Sequence, residues 1–484
     1  MFRDYVLRES SAEYDSRILV IDDEGLDEVT HYSADFQANG FEVVHYTDDL
    51  TFRIEYEERL KNSEEKLLLL AHSSSYIPYD LKRRFRSYIL SMDRLFPKLN
   101  IEVLRSCRDL DLELLCMAYR KNFDDLRQRK QTEEFLEKKV NSPENVAEYL
   151  KRLYVTTIKS VRSVKDYRDW FTIAESKAKI DVLATEHQLN FDTSEINRVF
   201  RDYILKHFGK LSAEINRETP VLVSRAMEYI HDHSSKFVII VMDGMSEFDW
   251  RIISRSFQDI PYEQAAAFAM IPTTTSISRQ CLLSNKTPGQ LIEPWKQSKE
   301  KQEFVACAKA MGYADNQIGY ERGYAAQFGS FVKCGAVIIN DVDDMVHAQH
   351  QERLGMLNDI GVLSDQHLLA DMTKQFLADG FDVYITADHG NTLCTGLGKL
   401  MGTGVETETK SRRMLVLQNF ADKTKLIQKY GLIEYPGYYL NKSFDYLICE
   451  VGDSFDVKGE TVMTHGGISI DEVVVPFIKI KAVK

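Results

Sequence analysis

The segment VYITADHGNT, residues 383–392, combines the clearest strand pattern in the chain with an unusually polar turn. Its first four residues predict a buried strand. An acid, an imidazole and a glycine follow at once, as Asp388, His389 and Gly390. A turn of this kind either caps the next helix or holds a metal ion, and these residues alone leave both alternatives open.

Similar apolar runs recur through the second half of the chain. They are continuous rather than alternating, which is typical of strands covered on both faces in a parallel sheet. The last run, 471–482, alternates more and contains Pro476, so we expect an edge strand or an antiparallel strand there. The other runs occupy residues 236–244, 265–272, 334–341, 381–390 and 412–418.

The first hundred residues show a second α/β pattern, with strands predicted at 17–23, 41–46 and 66–72. The run ILVIDDE is similar to the first strand of response-regulator receivers. Receivers accept a phosphoryl group on an aspartate that ends the third strand, whereas this third strand ends in LLAHSSSY. We therefore predict a domain with the shape of a receiver that does not accept a phosphoryl group.

Residues between these two α/β parts have helical periodicity and almost no glycine or proline. The sequence therefore predicts three domains: a receiver-like N-terminal α/β domain (1–104), a helical linker domain (105–235) and a catalytic α/β domain (236–484).

Composition is that of an ordinary globular protein, with 44% hydrophobic and 28% charged residues. The sequence shows neither a transmembrane run nor a secretory signal, and its seven cysteines form no C-x-x-C pair, so we expect a cytoplasmic protein without membrane contact. The net charge of −13 favours a small or short substrate over a long nucleic-acid duplex.

Polar residues follow each of the central strands, and ligands of open α/β sheets bind at the carboxyl ends of strands. Carboxylates and imidazoles together suit zinc, manganese or iron. In DDMVH, Asp343 and His347 are four residues apart, so one helix face carries both. The residues at these strand ends are Asp243, the hydroxyls of PTTTS at 272–276, Asp343 with His347, Asp388 with His389, and the later His465.

Each of these motifs also has a simpler explanation. Asp243 can cap a helix, and PTTTS can be an ordinary threonine-rich turn. Asp343 can cap the helix that follows it, and His347 can be a surface histidine. Their occurrence together within one region of the chain favours a two-metal site over this set of separate explanations.

The order of these motifs resembles the alkaline phosphatase superfamily: Asp-Gly after the first strand, P-T-x-T, D-x-x-x-H, A-D-H-G and a late H-G-G. The sequence segments THGGISIDEVVVPFI and PTTTS resemble those of the PglZ-domain branch, whose members occur in BREX phage-defence systems and in two-component regulators. The resemblance covers roughly residues 236–484 and implies a mostly parallel sheet flanked by helices.

The resemblance implies two divalent metal ions, zinc or alternatively manganese, and a threonine nucleophile at Thr275. Thr274 and Ser276 are alternative nucleophiles, and Asp341 and Asp344 compete with Asp343 as ligands. One ion would be held by Asp243, Thr275, Asp388 and His389, and the other by Asp343, His347 and His465.

The activity implied is hydrolysis of a phosphoric ester, with a nucleotide or short oligonucleotide diester as the expected substrate and phage defence as the setting. A phosphomonoesterase, or a non-catalytic scaffold that binds protein partners of a defence complex, are the alternatives. The sequence does not indicate an oligomeric state.

Two arginines and one segment also receive a predicted role. We expect Arg279 or Arg413 to contact a phosphate oxygen, because guanidinium binds phosphate in bidentate fashion, with a structural salt bridge as the alternative for each. The segment 394–410, rich in glycine and hydroxyls, is expected to form a mobile loop, or else a plain connector.

Overall fold

The computed structural model describes residues 2–61, 65–107, 110–398, 411–418 and 423–482. It consists of two compact units, Met1–Tyr149 and Leu150–Lys484. No helix within the described ranges is long and apolar enough to cross a membrane.

The first unit contains a four-stranded parallel sheet, so the predicted small α/β unit is confirmed. Its strands are β1 (Arg17–Asp22), β2 (Glu42–His45), β3 (Leu67–Ala71) and β4 (Arg86–Leu90). Its helices are α1 (Phe2–Glu9), α2 (Leu26–Thr30), α3 (Ser33–Ala38), α4 (Asp49–Tyr56), α5 (Tyr79–Lys82), α6 (Met92–Leu95), α7 (Ile101–Ser106), α8 (Leu112–Tyr119) and α9 (Arg129–Phe135).

The strand order of this sheet is β2-β3-β1-β4. Flavodoxin-like folds, which include receivers, have the order 2-1-3-4-5. The unit is therefore a parallel α/β sheet as expected, but its order differs from that of receivers because β2 pairs with β3 rather than with β1, and β4 pairs with the other side of β1. Strand β4 was not predicted, because its five residues include an arginine and a serine and show no continuous apolar run.

The predicted helical region is helical in the structure. A π-helical turn, Leu136–Val140, follows α9 and precedes the longer helices. Residues up to 149 belong to the first unit and the remainder to the second, so the three predicted domain ranges stay a proposal. The longer helices are α10 (Pro143–Arg162), α11 (Asp169–Glu186), α12 (Ser194–His207) and α13 (Ala226–His233).

The second unit is built on a six-stranded sheet with the order β6-β16-β9-β5-β8-β7. All but one of these strands run in the same direction, and β5 and β8 are buried along their whole length, which explains their uninterrupted apolar sequences. The strands are β5 (Phe237–Met242), β6 (Glu263–Phe268), β7 (Ile318–Arg322), β8 (Cys334–Ile339), β9 (Asp382–Thr386) and β16 (Val474–Ile480).

Helices cover this sheet and connect its strands. They are α14 (Glu247–Ile253), α15 (Thr275–Ser284), α16 (Glu300–Ala310), α17 (Asp341–Ala348), α18 (Glu352–Asp365), α19 (Leu368–Ala378), α20 (Lys423–Tyr430) and α21 (Ile470–Val473).

Strand β16 is antiparallel, as one of the two expectations had it, but it lies between β6 and β9 rather than at an edge. Proline led us to expect an edge strand because it has no N–H to donate to a neighbouring strand. In the structure, the pairing of β16 with β9 ends at Phe477, opposite Thr386, so Pro476 lies just beyond it. The Pro476 carbonyl accepts a hydrogen bond from the Thr386 hydroxyl at 2.7 Å and is therefore not left unpaired.

Two smaller sheets complete the second unit. The run at 412–418 was expected in the parallel sheet but forms β11 (Met414–Leu417) in a separate antiparallel sheet with β13 and β12, because its short apolar pattern does not specify its neighbours. Of the predicted loop 394–410, residues up to Gly396 belong to strand β10, and residues 399–410 lie outside the described ranges. The remaining strands are β10 (Thr392–Gly396), β12 (Ile433–Tyr435), β13 (Asp445–Ile448), β14 (Asp453–Ser454) and β15 (Thr461–Thr464).

We expect Thr386→Val to lower the free energy of unfolding by about 1–3 kcal/mol, because it leaves the buried carbonyl of Pro476 without its donor. Urea denaturation followed by circular dichroism measures the change. Thr156→Val is the matched control, since the Thr156 hydroxyl is exposed and water can replace its contact. Equal effects of the two substitutions would contradict the role assigned to Thr386.

Candidate metal centre

Three buried side chains from two adjacent strand ends form what we call the aspartate-rich group: Asp243, Asp388 and His389. Asp243 follows β5, and the other two follow its partner β9. One ligand atom from each residue lies within 4.8 Å of the others. The Asp388 Oδ1 atom accepts a hydrogen bond from the Gly244 amide at 3.2 Å, whereas its buried Oδ2 has no hydrogen-bond partner. A buried carboxylate oxygen left free in this way fits a bound cation.

A second set, the histidine-rich group, consists of Asp343, His347 and His465. Asp343 and His347 occupy one face of α17, with Asp343 Oδ2 3.4 Å from His347 Nε2 and Asp343 Oδ1 3.4 Å from His465 Nε2. Asp343 Oδ1 is buried and makes no hydrogen bond. Asp344 is exposed and Asp341 lies outside the group, so Asp343 is the aspartate of this segment that joins the site.

The two groups adjoin each other. The imidazole rings of His389 and His465 stack with their centroids 4.3 Å apart. Gly244, at φ 74°, brings the turn after β5 against Asp343: a Cβ atom at Gly244 would lie 3.3 Å from the Asp343 Cβ. The close approach therefore depends on a residue that has no side chain and tolerates a left-handed backbone.

Backbone carbonyls orient both buried imidazoles. The Nδ1 atom of His389 lies 3.0 Å from the Gly390 carbonyl, and that of His465 lies 2.9 Å from the Thr273 carbonyl. A carbonyl can only accept, so Nδ1–H donates in each case. Both Nε2 atoms then present lone pairs towards the acidic side chains, which is how metal-binding histidines are commonly held.

One hydroxyl of the PTTTS turn contacts the aspartate-rich group. Thr275 is the first residue of α15, and its Oγ1 lies 3.2 Å from both Asp243 Oδ1 and His389 Nε2. The hydroxyl of Thr274 is buried without a hydrogen-bond partner, and Ser276 is half-buried one position further along α15. Among the three candidate hydroxyls, that of Thr275 is the one hydrogen-bonded to the group.

If both carboxylates of the aspartate-rich group were ionised, their negative charge would exceed the positive charge around them. Burial and the charge of Asp388 raise the pKa of Asp243 to about 8, although the positive charge of Arg279 opposes this. Burial likewise raises the pKa of Asp388 to about 6. These carboxylates reach their charged forms more easily when a cation is bound between them, so the residues present fit a metal ion.

The histidine-rich group is closer to balance. Burial disfavours the charge of Asp343, but the hydrogen bond with His347 and the charge of His465 hold its pKa below the usual range. Burial and the neighbouring His389 lower the pKa of His465 to about 4. His465 is therefore neutral at physiological pH, which is the form that binds a metal.

Arg279 forms ion pairs with two protein carboxylates, and its contact with a phosphate oxygen stays a prediction. The side chain is fully buried, with Nη1 bonded to Asp243 Oδ2 at 2.5 Å and Nε to Glu300 Oε2 at 2.6 Å. Its ion pairs are therefore with protein carboxylates, and it orients Asp243 from behind. The structural salt bridge, the alternative that the sequence left open, describes Arg279 better.

Arg413 is also fully buried and pairs with Glu472. Glu472 accepts hydrogen bonds from the Gly467 amide at 2.8 Å and from Ser469, so Arg413 supports the H-G-G turn. A Cβ atom at Gly467 would lie 2.6 Å from the Arg413 guanidinium carbon. The structural salt bridge, the alternative left open by the sequence, is present for Arg413, and its contact with a phosphate oxygen stays a prediction.

The neighbouring Arg412 is the exposed arginine of this segment. Its side chain is 44% exposed, and its Nη1 lies 3.2 Å from Asp456. The flanking Ser411 and Arg413 pack on the two glycines that follow His465. Arg412 is also near enough for its charge to oppose the rise in the pKa of His347, whose main cause is the hydrogen bond to Asp343.

Sequence reasoning missed two residues that support the turn containing His389. The Asn391 amide donates to the Gly244 carbonyl at 2.9 Å and to Asp249 at 2.6 Å, joining the turns after β5 and β9. Asp249 also forms a capping box with Ser246 at the start of α14. The spacing S-x-x-D of a capping box was visible in the sequence, whereas nothing local indicated the contact with Asn391.

The family model described as the BREX system PglZ alkaline phosphatase-like domain matches residues 222–480, just over half of the chain. The class is therefore that of alkaline-phosphatase-like phosphoester hydrolases. Within that class, the chain belongs to the PglZ family, as its motifs predicted.

Several solved structures are similar to part of this chain, each at low sequence identity. Murine ectonucleotide pyrophosphatase/phosphodiesterase 5 is 11% identical, covers 50% of this chain and 87% of its own, and has a TM-score of 0.35. Phosphonoacetate hydrolase from Sinorhizobium meliloti in complex with phosphonoformate is 9% identical, covers 51% and 90%, and has a TM-score of 0.34. No curated protein sequence matches the chain.

We expect the metal-free protein to lose stability as the pH rises from about 6.5 to about 8. The folded state keeps a proton on Asp243, whose pKa rises from 3.8 to about 8, while the unfolded state has already lost it. Below about 6.5 the lowered pKa of His465 has the opposite effect, whereas above it the raised pKa of His347 adds a fall of the same sign as that of Asp243. The contribution of Asp243 to the fall in the free energy of unfolding should be at most about 1.4 kcal/mol per pH unit.

Urea denaturation in the presence of a chelator, repeated across this pH range, measures the slope. Asp243→Asn removes the titrating carboxylate and should give a clearly shallower profile. An equally steep fall in that variant would show that Asp243 is not the source.

Proposed function

We propose that this protein is a metal-dependent phosphodiesterase that hydrolyses nucleotides or short oligonucleotides, with Thr275 as its nucleophile. The observation that carries the proposal is the position of the Thr275 hydroxyl, 3.2 Å from both Asp243 and His389. A hydroxyl becomes a nucleophile when an adjacent group favours loss of its proton. Asp243 and His389 lie beside the Thr275 hydroxyl and can act in this way.

The two groups would each hold one divalent ion, zinc or alternatively manganese. Bound ions would lower the pKa of the nucleophilic hydroxyl and neutralise charge on the phosphate. The free carboxylate oxygens and the oriented imidazoles support this assignment. Asp243, Thr275, Asp388 and His389 are assigned to the first ion, and Asp343, His347 and His465 to the second.

The chain's own groups account for the positioning of the phosphate. Thr275 starts α15, and the first N–H groups of a helix have no intrahelical partner, so those of Thr275 and Ser276 would be available to donate hydrogen bonds to the phosphate oxygens. The Thr275 hydroxyl gives its proton to Asp243 or His389, and its oxygen forms a bond to phosphorus while the bond to the leaving oxygen breaks and that oxygen takes up a proton to leave as the alcohol. Water then cleaves the threonine ester, releasing the phosphate product and restoring Thr275.

A role in phage defence, with protein partners from a defence complex, is the biological setting we propose. The family description, which names the BREX system, supports it. A cytoplasmic location is consistent with the seven cysteines, none of which forms a disulfide in the described part of the chain. The net charge of −13 supports a short rather than an extended nucleic-acid substrate.

Purified protein should hydrolyse bis-(p-nitrophenyl) phosphate faster than p-nitrophenyl phosphate, lose both activities after chelation, and regain them with zinc or manganese. Thr275→Ala should lower kcat for the diester by about a thousandfold or more, because no other hydroxyl replaces the nucleophile. Thr156→Ala, at an exposed threonine outside the site, is the control. Faster monoester turnover would favour the phosphomonoesterase, and absence of turnover in folded, metal-loaded protein would favour the scaffold.

Arg412 is proposed to contact the substrate phosphate at the exposed side of the histidine-rich group. Arg412→Ala should raise KM for the diester by about tenfold, equivalent to about 1.4 kcal/mol, with little change in kcat. Arg168→Ala, which removes another exposed arginine paired with an aspartate, should leave both constants unchanged. An unaltered KM in the Arg412 variant would restrict this residue to its contact with Asp456.

A further inference from the structure

A lysine with no exposed surface, Lys177 of α11, lies between two carboxylates. Its Nζ atom is 2.6 Å from Asp181 Oδ2 and 2.7 and 2.9 Å from the two oxygens of Asp471. Asp181 is one turn further along the same helix, whereas Asp471 belongs to α21, 294 residues later. A buried ammonium persists only where its charge and its donors are satisfied, as they are here.

Two further side chains complete this network. Arg353 Nη1 of α18 lies 2.7 Å from Asp181, so two positive and two negative charges balance. The Asn197 amide of α12 donates to Asp471 at 3.2 Å, and its carbonyl oxygen accepts from the Ile470 amide at 3.1 Å. Three helices, α11, α12 and α18, thus converge on the short helix that follows the H-G-G turn.

The same Asp471 lies directly against the turn that carries His389. The Thr392 hydroxyl donates to its carboxylate at 3.3 Å. The Gly390 amide donates to the carbonyl of Glu472 at 2.9 Å, and a Cβ atom at Gly390 would lie 2.0 Å from the Asp471 carbonyl oxygen. Because the Gly390 carbonyl in turn accepts from His389 Nδ1, the position of α21 sets the orientation of that imidazole.

We propose that Lys177 is a positioning residue for the aspartate-rich group, and that α11 and α12 are a functional part of the catalytic unit. The proposal rests on the function proposed above, since it requires that this group binds an ion. Removing the ammonium leaves Asp471 facing Asp181 with Arg353 as their shared cation, and the resulting repulsion displaces α21 together with Gly390 and His389.

The support for the site therefore extends beyond the segment that defines the family. The family match begins at residue 222, after both helices, whereas the compact unit begins at Leu150. Lys177 and Asn197 lie between these two points, so the matched segment contains Asp471 but neither of its partners on α11 and α12.

Zinc binding by the full chain tests the proposal without relying on catalysis. Metal-free protein is titrated with zinc against a competing chelator, and bound zinc is counted after gel filtration. The wild-type protein should bind two ions, whereas Lys177→Met should bind one of them about 10–100-fold more weakly, the usual effect of removing an outer support of a metal ligand. Lys206→Met, at an exposed lysine of α12, is the matched control and should bind as the wild type does.

Asn197→Ala provides a milder second variant, because Asn197 is only half-buried and uncharged. It should weaken the same ion in the same direction, and it decides the question if Lys177→Met does not fold. A lowered melting temperature with unchanged zinc affinity at both sites would make the network purely structural and overturn the proposal. Wild-type protein that binds no zinc would instead remove the proposed metal centre, and this inference with it.

Discussion

The structure depends on one electrostatic constraint, which is that Asp243, Asp388 and Asp343 meet in a region with little access to water. Burial disfavours the ionised form of each carboxylate, and the charge of Asp388 adds to this effect at Asp243, so the pKa values of Asp243 and Asp388 are both raised. Arg279 supplies part of the missing charge. The free oxygens of Asp388 and Asp343 mark where the remainder would bind.

Each turn that carries a candidate ligand is held by a buried polar partner from a different part of the chain. Arg279 and Glu300 brace Asp243, Asn391 joins the turns after β5 and β9, and Arg413 braces the H-G-G turn. Buried charges of this kind add little net stability but penalise every alternative arrangement, because a displaced partner leaves an unpaired charge behind.

The sequence predicted the candidate ligands better than it predicted their supports. Strand followed by acid is a local pattern, and because the ends of parallel strands meet, Asp243 and Asp388 could be expected together. The two arginines could not be assigned, since their burial depends on Glu300 and Glu472, which are distant in sequence. Likewise β11 and β16 were misplaced because a short apolar run specifies a strand but not its neighbours.

The interior position of β16 also bears on when the enzyme becomes complete during its synthesis. Strand β6 joins the sheet through β16, with Phe268 opposite Val474. The turn that carries Thr275 follows β6, so its place beside Asp243 and His389 depends on a segment that leaves the ribosome after every proposed ligand. A nascent chain that lacks β16 therefore has β6 and the proposed nucleophile Thr275 without the strand that joins them to the rest of the sheet.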